Sequence, residues 1–271
     1  MVNQSLQKVI FLVMKEDKIQ GGIEWKRARL GKISGSEIYV LTKNHKEPMS
    51  DTELAEYKTA NPKSRVTTKD MPFSDATYTY LNRKVMENYL PLTSQSIAAV
   101  NAVNEYIEEH TVSNKAMQYG TFWEDAARRR YAEEMNCEVL EVGFEPYKQY
   151  PNLVGVSPDG MVRESKGGVE IKCPFTMEKH LQHFLYSTPL DLKENDEQYY
   201  WQCVACMLVT DCDYWDFVSF NPYLSVSKQL EILRIPRDEQ DINLLRSRIT
   251  LSVEYMREKM RQLDNIPTII K

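Results

Sequence analysis

Apolar and polar positions recur with two different periods along this chain, and the switch between them divides it. In "SDATYTYLNRKVMENYL", residues 74–90, Tyr78, Leu81, Val85 and Met86 fall at helical spacing behind a capping Ser74. A longer helix is predicted from about Asn114 to Asn136, with Met117, Phe122, Trp123, Ala126, Ala127 and Tyr131 on its apolar side. After Asn136 the period shortens. "CEVLEVGFEPY", "LVGVS" and "GVEIKCP" are β-rich segments parted by Pro, Asn and Gly, the pattern of an antiparallel meander. "EQYYWQCVACMLVT" predicts a strongly apolar helix, and "YWDFVSF" and "LEILRIP" two more strands. A last amphipathic helix runs from about 238 to 264, with Leu244, Leu245, Ile249, Val253, Met256, Met260 and Leu263 on its buried face.

The first quarter is less regular. "VIFLVM", residues 9–14, reads as a short buried strand or core segment. A helix or turn is expected around Trp25 to Leu30, then a small-residue bend, then a second helix from about Ser36. Residues 43–75 are polar and carry Pro48, Pro62 and Pro72, which predicts a long loop with one helical piece, "SDTELAEYK". A loop of that length inside a compact domain is usually functional. The whole order, helices then strands then helix, strands and helix, is an α/β mixture in a single domain over 1–271.

Composition narrows the class. The 271 residues are 42 % hydrophobic and 27 % charged, ordinary for a globular chain with a sizeable core. The longest apolar runs, residues 9–14 and 203–209, are far short of the ~20 residues of a membrane span, and no secretory signal pattern opens the chain. Five cysteines with unlike spacings then read as reduced thiols. A net charge of −5 argues against a general nucleic-acid coat protein, but not against an enzyme that grips DNA locally. Local basic patches do exist: Lys26, Arg27, Arg29 and Lys32, and Arg128 to Arg130.

The chemistry concentrates in "GVSPDGMVRESKGGVEIKCP", residues 155–174. Strand alternation puts Val169, Ile171 and Cys173 on one face and Glu170 with Lys172 on the other. An antiparallel return across Gly160, Gly167 and Gly168 would set Asp159 beside Glu170. Two adjacent carboxylates need a proton or a cation between them, and Mg²⁺ or Mn²⁺ suits oxygen donors. Lys172 would then orient or deprotonate a water. An ordinary Asp-Gly turn and a surface charge pair explain the same residues when taken alone.

Other segments favour the site. "GVSPDG…VEIKCP" resembles the core of the PD-(D/E)xK nuclease superfamily, and within it the lambda exonuclease-like phage recombination exonucleases. The resemblance runs from about Glu24 to Thr210. "RLGKISGSE" is similar to the first motif of those enzymes, "GTFWEDAAR" to the helix bearing an early catalytic Glu, here Glu124, and "YYWQCVACMLVT" to the helix bearing Tyr199 and Gln202. It implies a restriction-endonuclease-like core, a mixed or antiparallel sheet flanked by helices. It implies Mg²⁺, with Mn²⁺ as substitute, held by Glu124, Asp159, Glu170 and the main-chain carbonyl near Ile171, with Lys172 at the water. It further implies a 5′-phosphate pocket of Arg29, Ser36 and Gln202, with Ser157 and Tyr199 close by. Digestion of one strand of duplex DNA from its 5′ end, a ring-shaped homotrimer, a single-strand annealing partner and a phage protein in a bacterial cytoplasm complete the implied picture. Ser36 also reads as a helix N-cap, and Glu124 with Arg128 as an i,i+4 ion pair.

Four alternatives use other residues or other roles. Cys137, Cys203, Cys206 and Cys212 resemble the cysteine set of iron–sulfur nucleases of the helicase–nuclease type. Cys203 and Cys206 lie within an apolar helix, however, where buried thiols are commonplace. Cys173, His180 and His183 form an incomplete zinc set. A catalytically inactive DNA-binding module on the same fold would lack an acidic ligand, whereas this chain retains all three. The same site could equally serve an endonuclease.

Overall fold

The computed structural model describes residues 20–43, 45–111 and 113–267, so the segment at 9–14 lies outside the described residues. The chain opens with α1 (Ile23–Arg29), β1 (Ile33–Ser34) and a 3-10 helix over Gly35–Thr42. Next come β2 (His45–Pro48), α2 (Asp51–Ala60), β3 (Thr68–Met71), α3 (Asp75–Glu87), α4 (Ile97–His110) and α5 (Lys115–Glu134). Five short strands follow: β4 (Val139–Leu140), β5 (Glu145–Pro146), β6 (Val154–Val156), β7 (Gly160–Val162) and β8 (Gly167–Lys172). The rest is α6 (Met177–Phe184), α7 (Pro189–Asn195), α8 (Glu197–Thr210), β9 (Tyr214–Phe220), the turn-length α9 (Val226–Gln229), β10 (Leu230–Pro236) and α10 (Glu239–Asp264).

The main sheet has the order β10-β9-β8-β7-β4, antiparallel except for the parallel pair β8–β9. Its two faces are covered differently. Val169 and Ile171 of β8, and Cys173 just after it, join Ala127 and Tyr131 of α5, with Val218 and Phe220, in one core cluster. The opposite face meets α8, whose Cys203, Val204, Cys206 and Met207 pack with Phe217, Ile242, Leu245 and Ile249 in the larger cluster. Gly168 is required here, because a Cβ would lie 2.3 Å from the Trp215 ring. The expected meander is only partly antiparallel within one sheet. β6 leaves it to pair in parallel with β1 and antiparallel with β5, in a second sheet of order β1-β6-β5. That parallel pair brings Ser34 level with Gly155 and joins the N-terminal basic segment to the strand before Asp159.

Several expectations change. The polar stretch 43–75 is not one loop: β2 and β3 form an antiparallel ribbon around α2, which carries a capping box from Ser50 and Glu53. Met86, Met117, Phe122 and Leu244, expected inside, are exposed, Phe122 to 74 %. Helical spacing gives a stripe but not its centre: Leu245 is buried as expected, while the neighbouring Tyr80 and Ile242 are buried where Met86 and Leu244 are not. Ser74 caps its helix as predicted, accepting from the Thr77 amide, and Asn114, where the next long helix was expected to begin, is its N-cap and accepts from the Met117 amide. Helices α4, α6 and α7 were not distinguished from the sequence; α4 and α7 are short of apolar anchors, burying only Val103 and Ile107, and Leu192.

Candidate functional site

The register of the β7–β8 hairpin decides the geometry. Gly160 pairs with Val169, so Asp159, one residue earlier, stands opposite Glu170. Asp159 Oδ2 accepts from the Ile171 amide at 2.7 Å, which fixes that carboxylate against the strand. Gly160 permits this turn, because a Cβ there would lie 2.3 Å from Val139 Cγ1. Glu170 is fully buried, and Lys172 Nζ donates to its Oε1 at 2.5 Å. Glu170 Oε2 has no hydrogen-bond partner at all. An unsatisfied buried carboxylate oxygen beside a second carboxylate is costly, and either a proton or a bound cation between them relieves it.

Helix α5 supplies the third acid. Arg128 is nearly buried and has a contact for each end of its fork. Its Nε donates to the Asp159 carbonyl at 2.8 Å, Nη2 to Glu124 Oε1 at 2.8 Å and Nη1 to Glu141 Oε1 at 2.5 Å. The expected i,i+4 pair is therefore present, and Arg128 also ties the helix to the chain at Asp159, just before β7. Its signal was the spacing alone; that it reaches Asp159 depends on α5 packing across β8.

The electrostatics agree with a cation site. Burial and the Asp159 charge push Glu170 up to about 8, and burial and Asp159 push Glu124 up to about 7. Asp159 is raised by burial too, against the pull of Lys172. For Lys172 burial acts downward, but Glu170 and Asp159 outweigh it and hold the ammonium above its usual range. Its Nζ also lies 4.8 Å from the Tyr199 ring centroid. Glu124, Asp159, Ile171, Lys172 and Tyr199 all line one open cleft of about 1260 Å³. Among the described residues, the three metal-type donors drawn within 4.8 Å of one another are instead His45, Glu47 and Asp75. They belong to the ribbon and the first turn of α3, where a His45–Glu47 contact at 3.7 Å and a helix N-terminus account for them.

The remaining predicted residues gather behind this wall. Arg29 Nη2 donates to Ser36 Oγ at 2.6 Å and Ser34 Oγ at 3.2 Å, and its guanidinium lies 4.2 Å from the Trp25 ring. Burial lowers the Arg29 pKa, while Glu37, Tyr80, Glu170 and Asp159 pull it back. Ser36 is not the N-cap; Ser34 holds that position, one residue of β1 before the turn. Gln202 is buried in α8, its Cγ 3.9 Å from where a Gly35 Cβ would sit. Ser157 Oγ is buried without a partner.

The cysteine and zinc alternatives fail. Cys203 and Cys206 lie in the large core and Cys137 against the small one, and no metal-type donor group among the described residues includes a cysteine. His180 and His183 are committed to Ser219, Lys228 and Asp196.

With this geometry in place, residues 24–213 match the YqaJ-like viral recombinase domain, nearly the same span as the motif resemblance. The chain belongs to that family. Among solved structures it is similar to an alkaline exonuclease, LHK-Exo, from Laribacter hongkongensis, with 23 % identity and a TM-score of 0.61 over 89 % of this chain and 95 % of that one. The same enzyme in complex with dAMP matches at 24 % identity and 0.61. A phage-related exonuclease from Haemophilus somnus 129PT matches at 15 % identity and 0.51, over 86 % and 96 %. No curated protein matches the chain. The fold is thus that of the phage-type exonucleases, with a mixed sheet flanked by helices, as the resemblance implied. No helix among the described residues is long and apolar enough to cross a membrane.

Proposed function

We propose that this protein is a metal-dependent exodeoxyribonuclease that digests one strand of duplex DNA from its 5′ end in phage-type recombination. The observation that carries this reading is the buried Asp159–Glu170 pair, with Asp159 and Lys172 on the wall of an open cleft and Glu170, its Oε2 unpartnered, buried directly behind them. Glu124, Asp159, Glu170 and the Ile171 carbonyl would hold Mg²⁺, or Mn²⁺ in its place. Bound there, the cations would supply Lewis-acid stabilisation of charge at the phosphate. The chain's own residues do the rest. Lys172 keeps its proton against two carboxylates and so serves as a donor that orients a water or a phosphate oxygen. Arg128 holds Glu124 and the Asp159 backbone in one frame. Arg29 and Ser36, with Gln202 behind them, offer donors to a 5′ phosphate.

Family membership supports work on DNA in recombination, with a single-strand annealing protein as partner, and the same likeness supports a homotrimer in a bacterial host's cytoplasm. One assay tests the reading. End-labelled linear duplexes with and without a 5′ phosphate, and a closed circle, are incubated with Mg²⁺. Stepwise loss from the 5′ end of linear DNA is expected. Equal attack on the circle would make the protein an endonuclease instead, and no cleavage under any divalent cation would refute the reading.

A further inference from the structure

The turn that follows Arg29 is gripped by a helix that lies outside the acidic site. Helix α1, which ends at Arg29, is seven residues long and buries none of them, and a helix that short has little stability alone. Arg27 Nη2 tethers it to α4, donating to Asn104 Oδ1 at 3.0 Å. The firmer hold comes just after the helix. Gly31 sits at φ +71°, in the left-handed region, and both of its backbone groups are taken from α3 and the residue after it. Its N–H donates to Glu87 Oε2 at 2.9 Å, and its carbonyl accepts from Asn88 Nδ2 at 2.8 Å. Asn88 Nδ2 also donates to the Lys84 carbonyl at 2.7 Å, which fixes the amide against α3. The approach is close, because a Cβ on Gly31 would lie 2.6 Å from that same nitrogen.

The grip continues along one face of α3, where Tyr80, Lys84 and Glu87 recur at helical spacing. Tyr80 Oη accepts from the Ser34 amide at 3.2 Å. Lys84 Nζ donates to Glu87 Oε2 at 3.0 Å and lies 3.8 Å from Glu37 Oε2, while Arg83 Nη2 donates to Glu37 Oε1 at 2.5 Å. Ser34, held by its amide, is one of the two residues whose hydroxyl accepts from Arg29. Arg29 therefore lies between two points, Gly31 and Ser34, that α3 fixes.

Lys84 and Glu87 are both buried, and a buried ion pair adds little net stability over apolar side chains of the same size. What this pair supplies is a fixed oxygen for the Gly31 N–H, which an apolar side chain cannot offer. The other oxygen of Glu87 is also engaged, accepting from Tyr106 Oη of α4 at 3.2 Å. Neither Glu87 nor Asn88 lines the cleft. We infer that Glu87 and Asn88 are positioning residues that set the reach of Arg29, and so determine the preference for a phosphorylated 5′ end. The role rests on the 5′-phosphate pocket of the proposed nuclease.

End preference reads this role directly. Affinity of the full-length protein for linear duplexes with 5′-phosphate and 5′-hydroxyl ends is measured with Ca²⁺ as the cation, and cleavage of the same pair with Mg²⁺. Asn88→Ala should lower the phosphate-to-hydroxyl ratio about tenfold in both, with 5′-hydroxyl duplexes bound and cut within about twofold of the unaltered protein, because a small displacement of a positioning group is costly. Asn88→Asp keeps the volume and loses both donations, so it should lower the ratio as far, whereas a packing role would spare it. Glu87→Gln keeps an oxygen for the Gly31 N–H and should retain more of the ratio than Glu87→Ala. An unchanged ratio in the folded Asn88 variants would overturn the proposal, and an equal loss on both ends would do the same by making the grip structural only. An unaltered protein that binds both ends alike would also overturn it; if that protein still digests linear duplexes, the pocket falls and the nuclease reading stands. A binding preference that the variants lose, without cleavage under any divalent cation, would count against the nuclease reading alone.

Discussion

Glu170 concentrates the energetic problem of this site in one side chain. It is fully buried, one oxygen is held by Lys172 and the other by nothing. Its pKa is near 8 and that of Glu124 near 7, both far above the usual 4.5. The folded protein without added metal therefore binds protons more tightly than the unfolded chain between about pH 4.5 and 8. Stability from these groups is fully present below 4.5 and declines as pH rises through 7 and 8. Thermal melts in EDTA should show Tm falling by roughly 5–10 °C between pH 6 and 9, an effect on the order of 2–3 kcal/mol. Mg²⁺ should restore much of the loss at pH 9, and Glu170→Gln should flatten the slope. A Tm that climbs over this range would contradict the assignment. Asp159→Asn should reduce Mg²⁺-dependent cleavage at least a thousandfold while the same melts show an intact fold; undiminished cleavage would sink the site.

At the scale of elements, the hairpin was the legible part. Strand alternation and three glycines predict Asp159 beside Glu170, because both are local consequences of pleat and turn. The reach of Arg128 was not local. Its i,i+4 partner Glu124 follows from helix geometry, but its bond to the Asp159 carbonyl needs α5 docked on β8. The 43–75 ribbon was missed for a related reason: its strands, His45–Pro48 and Thr68–Met71, are mostly charged or polar and pair with each other alone. Two measurements test these elements. Gly160→Ala sets a methyl 2.3 Å from Val139 Cγ1; it should cost about 1–3 kcal/mol and, by displacing Asp159, impair cleavage more than it lowers Tm. Arg128→Ala should weaken Mn²⁺ binding about 10–100-fold by calorimetry, since a group that orients ligands is lost. Unaltered affinity would make Arg128 a purely structural pair.

For the whole molecule, the proposed function raises the question of how the cleft would choose a DNA end. The parallel pairing of β1 with β6 sets Ser34 beside Gly155, four residues before Asp159. That one strand contact carries Arg29 and Ser36 to the acidic wall, close enough for Glu170 and Asp159 to act on the Arg29 charge. Trp25 stacks on its guanidinium and two serines accept from one nitrogen, which leaves other donors of the fork for a phosphate. The distance from terminal phosphate to scissile bond would then be set by the fold, and the end would be recognised without reading bases. The ratio of cleavage rates on 5′-phosphorylated and 5′-hydroxyl duplexes measures this directly. Arg29→Ala should collapse that ratio by about 10–100-fold, the worth of one charge-assisted contact of about 1.5–3 kcal/mol. Arg29→Lys keeps the charge but loses the planar fork and the stacking, so it should recover only part of the ratio. If Arg29→Ala leaves the ratio as it was while kcat falls equally on both ends, Arg29 serves the acidic wall rather than the end of the strand.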